Sequence, residues 1–307
     1  MDEEGLRLSR IKPNIERRAQ IYELTRSFFR QGGFLEVETP IRAPTVAPEL
    51  YITPQESEGW FLTTSPELHM KRMLAAGYEK LFQISRCFRK GERGRWHNPE
   101  FTLLEWYRTG GDYLQMVRDT EELVTTISAQ LGLGPVIRYQ GRNIDLATPW
   151  PRITVRDAFM NDAGWDPAIE ANPLRFDDDL VLKVIPGFAP DRPTVLVDYP
   201  AAMASLAKLK TSDPRVSERA EIFIGGLEIT NGYSELANPR EQTDRFAREI
   251  EQIKKERKSP PMPWSFLDSM AHFPESGGIA LGMDRLVMFF CDAASIDEVV
   301  AFTSDTA

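Results

Sequence analysis

Residues 81–89 read LFQISRCFR and residues 100–108 read EFTLLEWYR. Both runs are rich in branched and aromatic side chains, the composition of β-strands. The ten residues between them, 90–99, read KGERGRWHNP and include Lys90, Arg93, Arg95 and His97. The spacing predicts an antiparallel pair with a cationic loop at its mouth. That loop is longer than the roughly two to five residues of an ordinary hairpin, and long loops on a sheet often carry function. Period two puts Gln83, Ser85, Cys87 and Arg89 on one face of the first strand, and Phe101, Leu103, Glu105 and Tyr107 on one face of the second. If the two sets share a face, one floor holds Arg89, Glu105 and Tyr107. An arginine there suits a phosphate oxygen, and a carboxylate beside a phenol suits an ammonium group. A solvated sheet face with a surface salt bridge fits the same pattern.

Working outward, Asn14 after Pro13 reads as the cap of a first helix. Ile15, Ala19 and Tyr22 begin its apolar stripe and Gly32-Gly33 end it. Residues 34–40, FLEVETP, read as a strand with Leu35, Val37 and Thr39 on one face, stopped by proline. Residues 60–64 read as another strand. Ser65-Pro66-Glu67 then gives a cap hydroxyl, a proline at the first helical position and an acid in the first turn, for a helix running to about Ala76. Residues 112–131 and 240–258 are helical in pattern. Residues 135–195 are proline-rich and mixed, with Phe159, Trp165 and an acidic run from Asp177 to Asp179, and read as an insertion or small subdomain. The whole predicts an α+β fold with an antiparallel sheet.

Two further stretches carry chemistry. Glu221, Glu228 and Glu235 recur at spacing seven across the Gly225-Gly226 turn, among Ile222, Phe223, Ile224, Leu227 and Ile229, with Asn231 between them. Buried acids need a partner. Mg2+ with a polyphosphate is one and a substrate amine is another; acids turned to solvent on alternate positions also fit. Residues 277–285, GGIALGMDR, read as a strand entering a helix through small residues. Gly278, Ala280 and Gly282 allow a flat ligand close to the backbone, and Arg285 sits near the helix start, where anions bind well.

The 307 residues fit one large or two medium domains. Hydrophobic and charged fractions of 42% and 27% are those of a globular protein. The net charge of −9 weighs against extensive nucleic-acid contacts and so against tRNA as a partner. Cys87 and Cys291 are the only cysteines and form no CxxC pair, while His69, His97 and His272 are the only histidines, which disfavours a disulfide scaffold or a zinc cluster. No apolar run is long enough to span a bilayer and no signal peptide is legible, so a soluble cytoplasmic protein is the expectation.

Together these stretches resemble the catalytic domain of class II aminoacyl-tRNA synthetases, in the lysyl branch. Residues 33–40, GFLEVETP, resemble motif 1, whose proline lies at a dimer interface. Phe88-Arg89 with residues 95–101, RWHNPEF, resemble motif 2, and residues 278–285 resemble motif 3. Residues 64–67, TSPE, residues 104–107, LEWY, and residues 226–236, GLEITNGYSEL, resemble the lysine-binding segments. The resemblance covers nearly the whole chain. Motif 1 begins at residue 33, which leaves no room for the anticodon-reading domain of lysyl-tRNA synthetases. The chain therefore resembles the stand-alone paralogues, the elongation factor P–(R)-β-lysine ligases. Alanine at position 280, where the synthetases have glycine, points the same way. One methyl in a pocket discriminates by about 1–3 kcal/mol.

The resemblance implies a single catalytic domain, 1–307, that dimerises through the motif 1 region. It implies that ATP and Mg2+ are used to activate (R)-β-lysine or lysine as an adenylate, with a lysine ε-amine of elongation factor P as acceptor. It implies Arg89 and Arg285 as catalytic residues. ATP would be bound by these two with Lys90, Gly91, His97, Asn98, Phe101, Glu228, Ile229 and Gly282. The amino acid would be bound by Ser65, Pro66, Glu67, Glu105, Tyr107, Asn231, Glu235 and Ala280, and the metal by Glu221 and Glu228. One departure stands out: the acid usual two residues after the motif 2 arginine is Gly91 here, and Glu92 follows one later. A truncated lysyl-tRNA synthetase and a catalytically silent amino-acid sensor are the competing readings.

Overall fold

In the computed structural model, which describes residues 2–307, the first helix spans Glu3–Gln31. It starts earlier than its sequence suggests. Asp2, rather than Asn14, caps it by accepting the Gly5 N–H, and Pro13 lies inside it. The extra turns are held by tertiary contacts that override the proline: Ile11 is buried, Arg7 donates to the Ala301 carbonyl, and Asn14 donates its side-chain amide to the Glu298 carbonyl. Gly32 and Gly33 end the helix as expected, Gly33 with φ of +75°.

The chain folds as two compact units, the first comprising Met1–Tyr107, Ala237–Pro274 and Leu281–Ala307. Its strands run in the order Leu35–Glu36, Lys80–Phe88, Glu100–Thr109, the first two parallel. The two long strands sit where their sequences put them. Phe29 of the first helix stacks on Phe82 at 4.8 Å and lies 5.1 Å from Trp106, so one aromatic cluster fixes helix and strands together. The motif 1 strand is shorter than its pattern, and Leu35 points out, 51% exposed, while Phe34 and Val37 are buried. Glu36 is held there by Arg26 and Arg30 of the helix. A small sheet of Arg42–Ala43, Trp60–Leu62 and Glu56–Ser57 precedes the helix Glu67–Ala75. Helices Pro239–Glu256, capped by Asn238, and Met283–Phe290 complete the unit.

The second unit comprises Arg108–Leu236 and Glu275–Ala280. Its strands run in the order Ser276–Gly282, Leu227–Ser234, Asp213–Ile224, Thr194–Pro200, Arg152–Thr154, and pairing is antiparallel along Asp213–Ile224. The helix Tyr113–Gln130 is capped by Asp112. Val155, Phe159, Trp165, Phe176 and Val184 pack on Leu196, Tyr199 and Phe223 of the sheet. Much of the 135–195 region is thereby anchored to the sheet. No described helix is long and apolar enough to cross a membrane.

The Gly225-Gly226 turn joins the two central strands with φ of +61° and +87°. A Cβ on Gly225 would also lie 2.6 Å from Cδ1 of buried Tyr139. Gly225→Ala therefore lowers stability by about 1–3 kcal/mol, read as a reduced denaturant midpoint at unchanged m-value. An unchanged midpoint would show that the turn relaxes freely.

Candidate active site

In the first unit, the start of the helix Glu67–Ala75 brings a carboxylate cluster together. Glu105, 1% exposed, accepts the Ser65 hydroxyl at 2.6 Å on one oxygen and the Tyr107 hydroxyl at 2.8 Å on the other. Ser65 Oγ also accepts the Glu67 N–H, which orders the helix start. Pro66 occupies the cap position. Glu67 is 9% exposed and its Oε1 lies 2.5 Å from Nζ of Lys71, which is itself buried. Burial, then the charge of Glu67, push the Glu105 carboxyl up to about 7. Burial and Glu105 push the Cys87 thiol up to about 12. Ser65, Glu67, Glu105 and Tyr107, picked out separately in the sequence, therefore form one site. Lys71 was not picked out, because an i, i+4 Glu–Lys pair on a helix ordinarily marks a solvated face.

Arg89 lies with its guanidinium 5.0 Å from the Phe101 ring centroid, so the two strands do share that face. Its Nε is buried with no hydrogen-bond partner, and Glu92 approaches to 3.8 Å. Backbone bonds pin the loop base: Arg89 N–H to the Pro99 carbonyl and Lys90 N–H to the Thr53 carbonyl. Gly91, φ +82°, makes the turn. Lys90 and Gly91 line a cavity of about 660 Å³ with Thr53, Phe61, Pro99 and Arg257. Within the loop, Arg93 pairs with Asp297 and Asp305, and Arg95 donates to the Ala294 carbonyl. These two arginines fasten the loop instead of facing a ligand. His97 Nε2 and Arg285 Nη2 stand 2.6 Å apart. Asn98 is buried: its amide donates to the Glu100 carbonyl and its Oδ1 accepts from Ser304, so both ends are engaged by the chain. Gly282 caps the helix that carries Arg285. Asp284 beside it pairs with Arg18 at 2.7 Å and accepts the Thr102 N–H, a pair absent from the sequence reading.

In the second unit, Glu221 and Asn231 are cross-strand partners. A one-residue bulge follows, after which Phe223 pairs with Glu228. Strict alternation would turn Glu228 away from Asn231; the bulge brings it to their face. Glu221 is 5% exposed, 2.6 Å from Arg219 and 2.5 Å from the Tyr199 hydroxyl. The Arg219 guanidinium lies over the rings of Tyr199 and Tyr233. Burial raises the Glu221 pKa, Arg219 opposes it, and Glu228 raises it further. Glu228 acts on Glu221 through its charge, and Asn231 Oδ1 is buried without a hydrogen-bond partner. Among the described residues no group of three or more acidic, histidine or cysteine side chains makes a metal cage. Carboxylate and amide oxygens of this kind are the donor type that Mg2+ accepts, which fills the rest of its shell with water and substrate oxygens. Glu235 is buried and its N–H bonds the Ser276 carbonyl. Ile229 is buried in the sheet, and Ala280 is half-buried on the Ser276–Gly282 strand.

The family model described as tRNA synthetases class II (D, K and N) matches residues 5–306. The elongation factor P–(R)-beta-lysine ligase of Enterobacter sp. (strain 638) is 35% identical over 320 residues, covering 96% of this chain and 96% of that protein. The same-named ligase of Salmonella gallinarum is 36% identical, with 96% of each chain covered. The lysine–tRNA ligase of Pelotomaculum thermopropionicum is 35% identical over 95% of this chain, which spans 63% of that protein.

Glu105 makes stability depend on pH. Its carboxyl ionises near 4.5 in the unfolded chain and about 7 in the folded one. Across that window the folded state holds a proton that the unfolded state has lost, so stability falls as pH rises, by about 3 kcal/mol in all. Glu105→Gln lacks this slope. Melting temperatures taken between pH 5 and 7 show the wild type losing ground to the variant; a constant difference would count against a neutral buried Glu105.

Proposed function

We propose, on the premise that this chain belongs to the class II tRNA synthetase family (D, K and N), that it activates (R)-β-lysine with ATP and transfers it to a lysine ε-amine of elongation factor P. The observation that carries this is the buried carboxylate cluster at Ser65, Glu67, Glu105 and Tyr107. It is shaped for ammonium groups and lies in the same compact unit as Arg89 and the His97–Arg285 pair. Cation sites on one side and anion sites on the other fit a diamino acid meeting a triphosphate. The full-length match to the elongation factor P ligases supports the choice of acceptor.

Glu67 orients the amino-acid end and Glu105 and Tyr107 hold the side-chain ammonium; Glu235 and Asn231, in the second unit, are assigned to the amino acid by the family resemblance alone. Arg89 takes the α-phosphate and the substrate carboxylate. Arg285 and His97 take the terminal phosphates. Phe101 packs against adenine. Glu221 and Glu228 hold Mg2+, which when bound draws negative charge off the phosphates. The substrate carboxylate oxygen attacks the α-phosphorus, the bond to pyrophosphate breaks, and an aminoacyl-adenylate forms. The acceptor amine, deprotonated, then attacks the acyl carbon, AMP leaves and an amide remains. Catalysis consists of positioning and of neutralising charge that builds on phosphate. Ala280 is assigned to the amino-acid site by the family resemblance, and on that reading its methyl selects where the amino group sits.

Arg89→Ala removes amino-acid-dependent ATP–pyrophosphate exchange by a factor of about a hundred or more; retained exchange in a folded variant would take Arg89 out of the mechanism. Ala280→Gly shifts relative kcat/KM towards α-lysine by about tenfold, and an unchanged ratio would show that the methyl is not the selector. Incubation with ATP, each lysine isomer and either elongation factor P or tRNA, followed by intact mass, tests the acceptor. Charged tRNA would favour a lysyl-tRNA synthetase, and no pyrophosphate release with any amino acid would favour a sensor.

A further inference from the structure

Lys71 stands apart from every role assigned above. Its side chain is 2% exposed, and its Nζ lies 2.5 Å from Glu67 Oε1, one helical turn away. Lysine is rarely buried to this degree, and a buried ammonium is costly unless paired. A solvated Glu–Lys pair would supply the helix with the same few tenths of a kcal/mol, so helix stability alone does not call for this burial. The charge reaches further than its partner. Lys71 lowers the pKa of Glu105 while Glu67 raises it, so both carboxylates sit in the field of one ammonium. The groups facing Glu105 come from four segments: Ser65 before the helix, Glu67 and Lys71 on it, Tyr107 on the same strand, and Cys87 on the neighbouring one.

Two buried carboxylates left to themselves share a proton, and the protonated one binds an ammonium poorly. A third charge changes that balance. We propose that Lys71 is a positioning residue of the diamino-acid pocket: its ammonium pins Glu67 in place and favours the ionised form of Glu105, which burial and Glu67 oppose, so that the ammonium groups of an arriving substrate meet a carboxylate. This rests on the reading that the pocket takes a lysine-type substrate. Lys71 touches no reacting atom; it acts through the two acids.

The test compares wild type with K71M, K71R and E67Q/K71M. Lysine and (R)-β-lysine binding is read by titration calorimetry, and ATP–pyrophosphate exchange is followed from pH 6 to 9. K71M raises the amino-acid KM about tenfold at pH 7 and moves the acid limb of kcat/KM up by about one pH unit, while KM for ATP stays within about twofold. K71R keeps the charge and leaves the limb in place. E67Q/K71M removes both charges, so its limb returns towards the wild-type position. That variant and K71R also carry the test if K71M fails to fold. A folded K71M with wild-type amino-acid affinity and limb overturns the proposal. So does a limb in E67Q/K71M that lies as far from wild type as that of K71M, or a limb displaced in K71R. Equal losses for ATP and amino acid mark a merely structural lysine and overturn it too. A wild type that binds lysine yet shows no exchange sinks the ligase reading while leaving the K71M binding comparison decisive for Lys71.

Discussion

A carboxyl group 1% exposed, held by two hydroxyls, sets the terms for the rest of the first unit. On the proposed reading Glu105 binds an ammonium, and burial strengthens that attraction, which in water is worth little. Burial has to be matched by donors on both oxygens, and Ser65 and Tyr107 supply them. Ser65 can do so because its hydroxyl also orders the start of the next helix, where Glu67 follows. Tyr107 can do so because it lies two residues along the same strand, on the same face. That strand is fixed by Trp106, which packs on Phe29, itself stacked on Phe82. Position of the acid is therefore inherited from the hydrophobic core, which is close-packed and yields little.

How much of this was readable from residues alone follows from which signals are local. The strand pair around the cationic loop, the Gly225-Gly226 turn and the strand that runs into the Arg285 helix rest on patterns of period two and on glycine, and they appear where expected. The first helix misled because Pro13 is a strong local breaker, and contacts made by Arg7, Ile11 and Asn14 with distant residues outweigh it. The bulge after Ile222 is invisible in a pattern of alternation, yet it decides which face Glu228 occupies. Lys71 looked like surface because its spacing from Glu67 is that of a surface pair. Burial, which changes its meaning, is a property of the fold.

Charge tells a similar story at larger scale. The chain is acidic overall, and a loop with four cationic side chains reads, from sequence, as an anion site. Two of the four, Arg93 and Arg95, are bound to the carboxylates and a carbonyl of the C-terminal residues. They hold the loop in place. Of the other two, Lys90 lines the cavity and His97 stands 2.6 Å from Arg285, while Arg89, whose Nε has no partner, lies just before the loop. A loop that must present two cations accurately uses two others as fasteners, and sequence cannot tell fasteners from contacts.

An acyl group can be activated in two general ways, on a protein nucleophile or on a phosphate. The thiols argue against the first. Cys87 is pushed up to about 12 and Cys291 up to about 11, both by burial, so neither is a thiolate near neutral pH. The Ser65 hydroxyl donates a hydrogen bond to Glu105, whose other oxygen accepts from Tyr107, and among the described residues no histidine stands in that cluster to act as its base. What the chain does offer is a set of fixed charges: guanidinium groups at Arg89 and Arg285, and buried carboxylates at Glu105 and Glu221. Such a set lowers the barrier of a reaction in which the leaving group is pyrophosphate, and that is the chemistry of an adenylate-forming ligase.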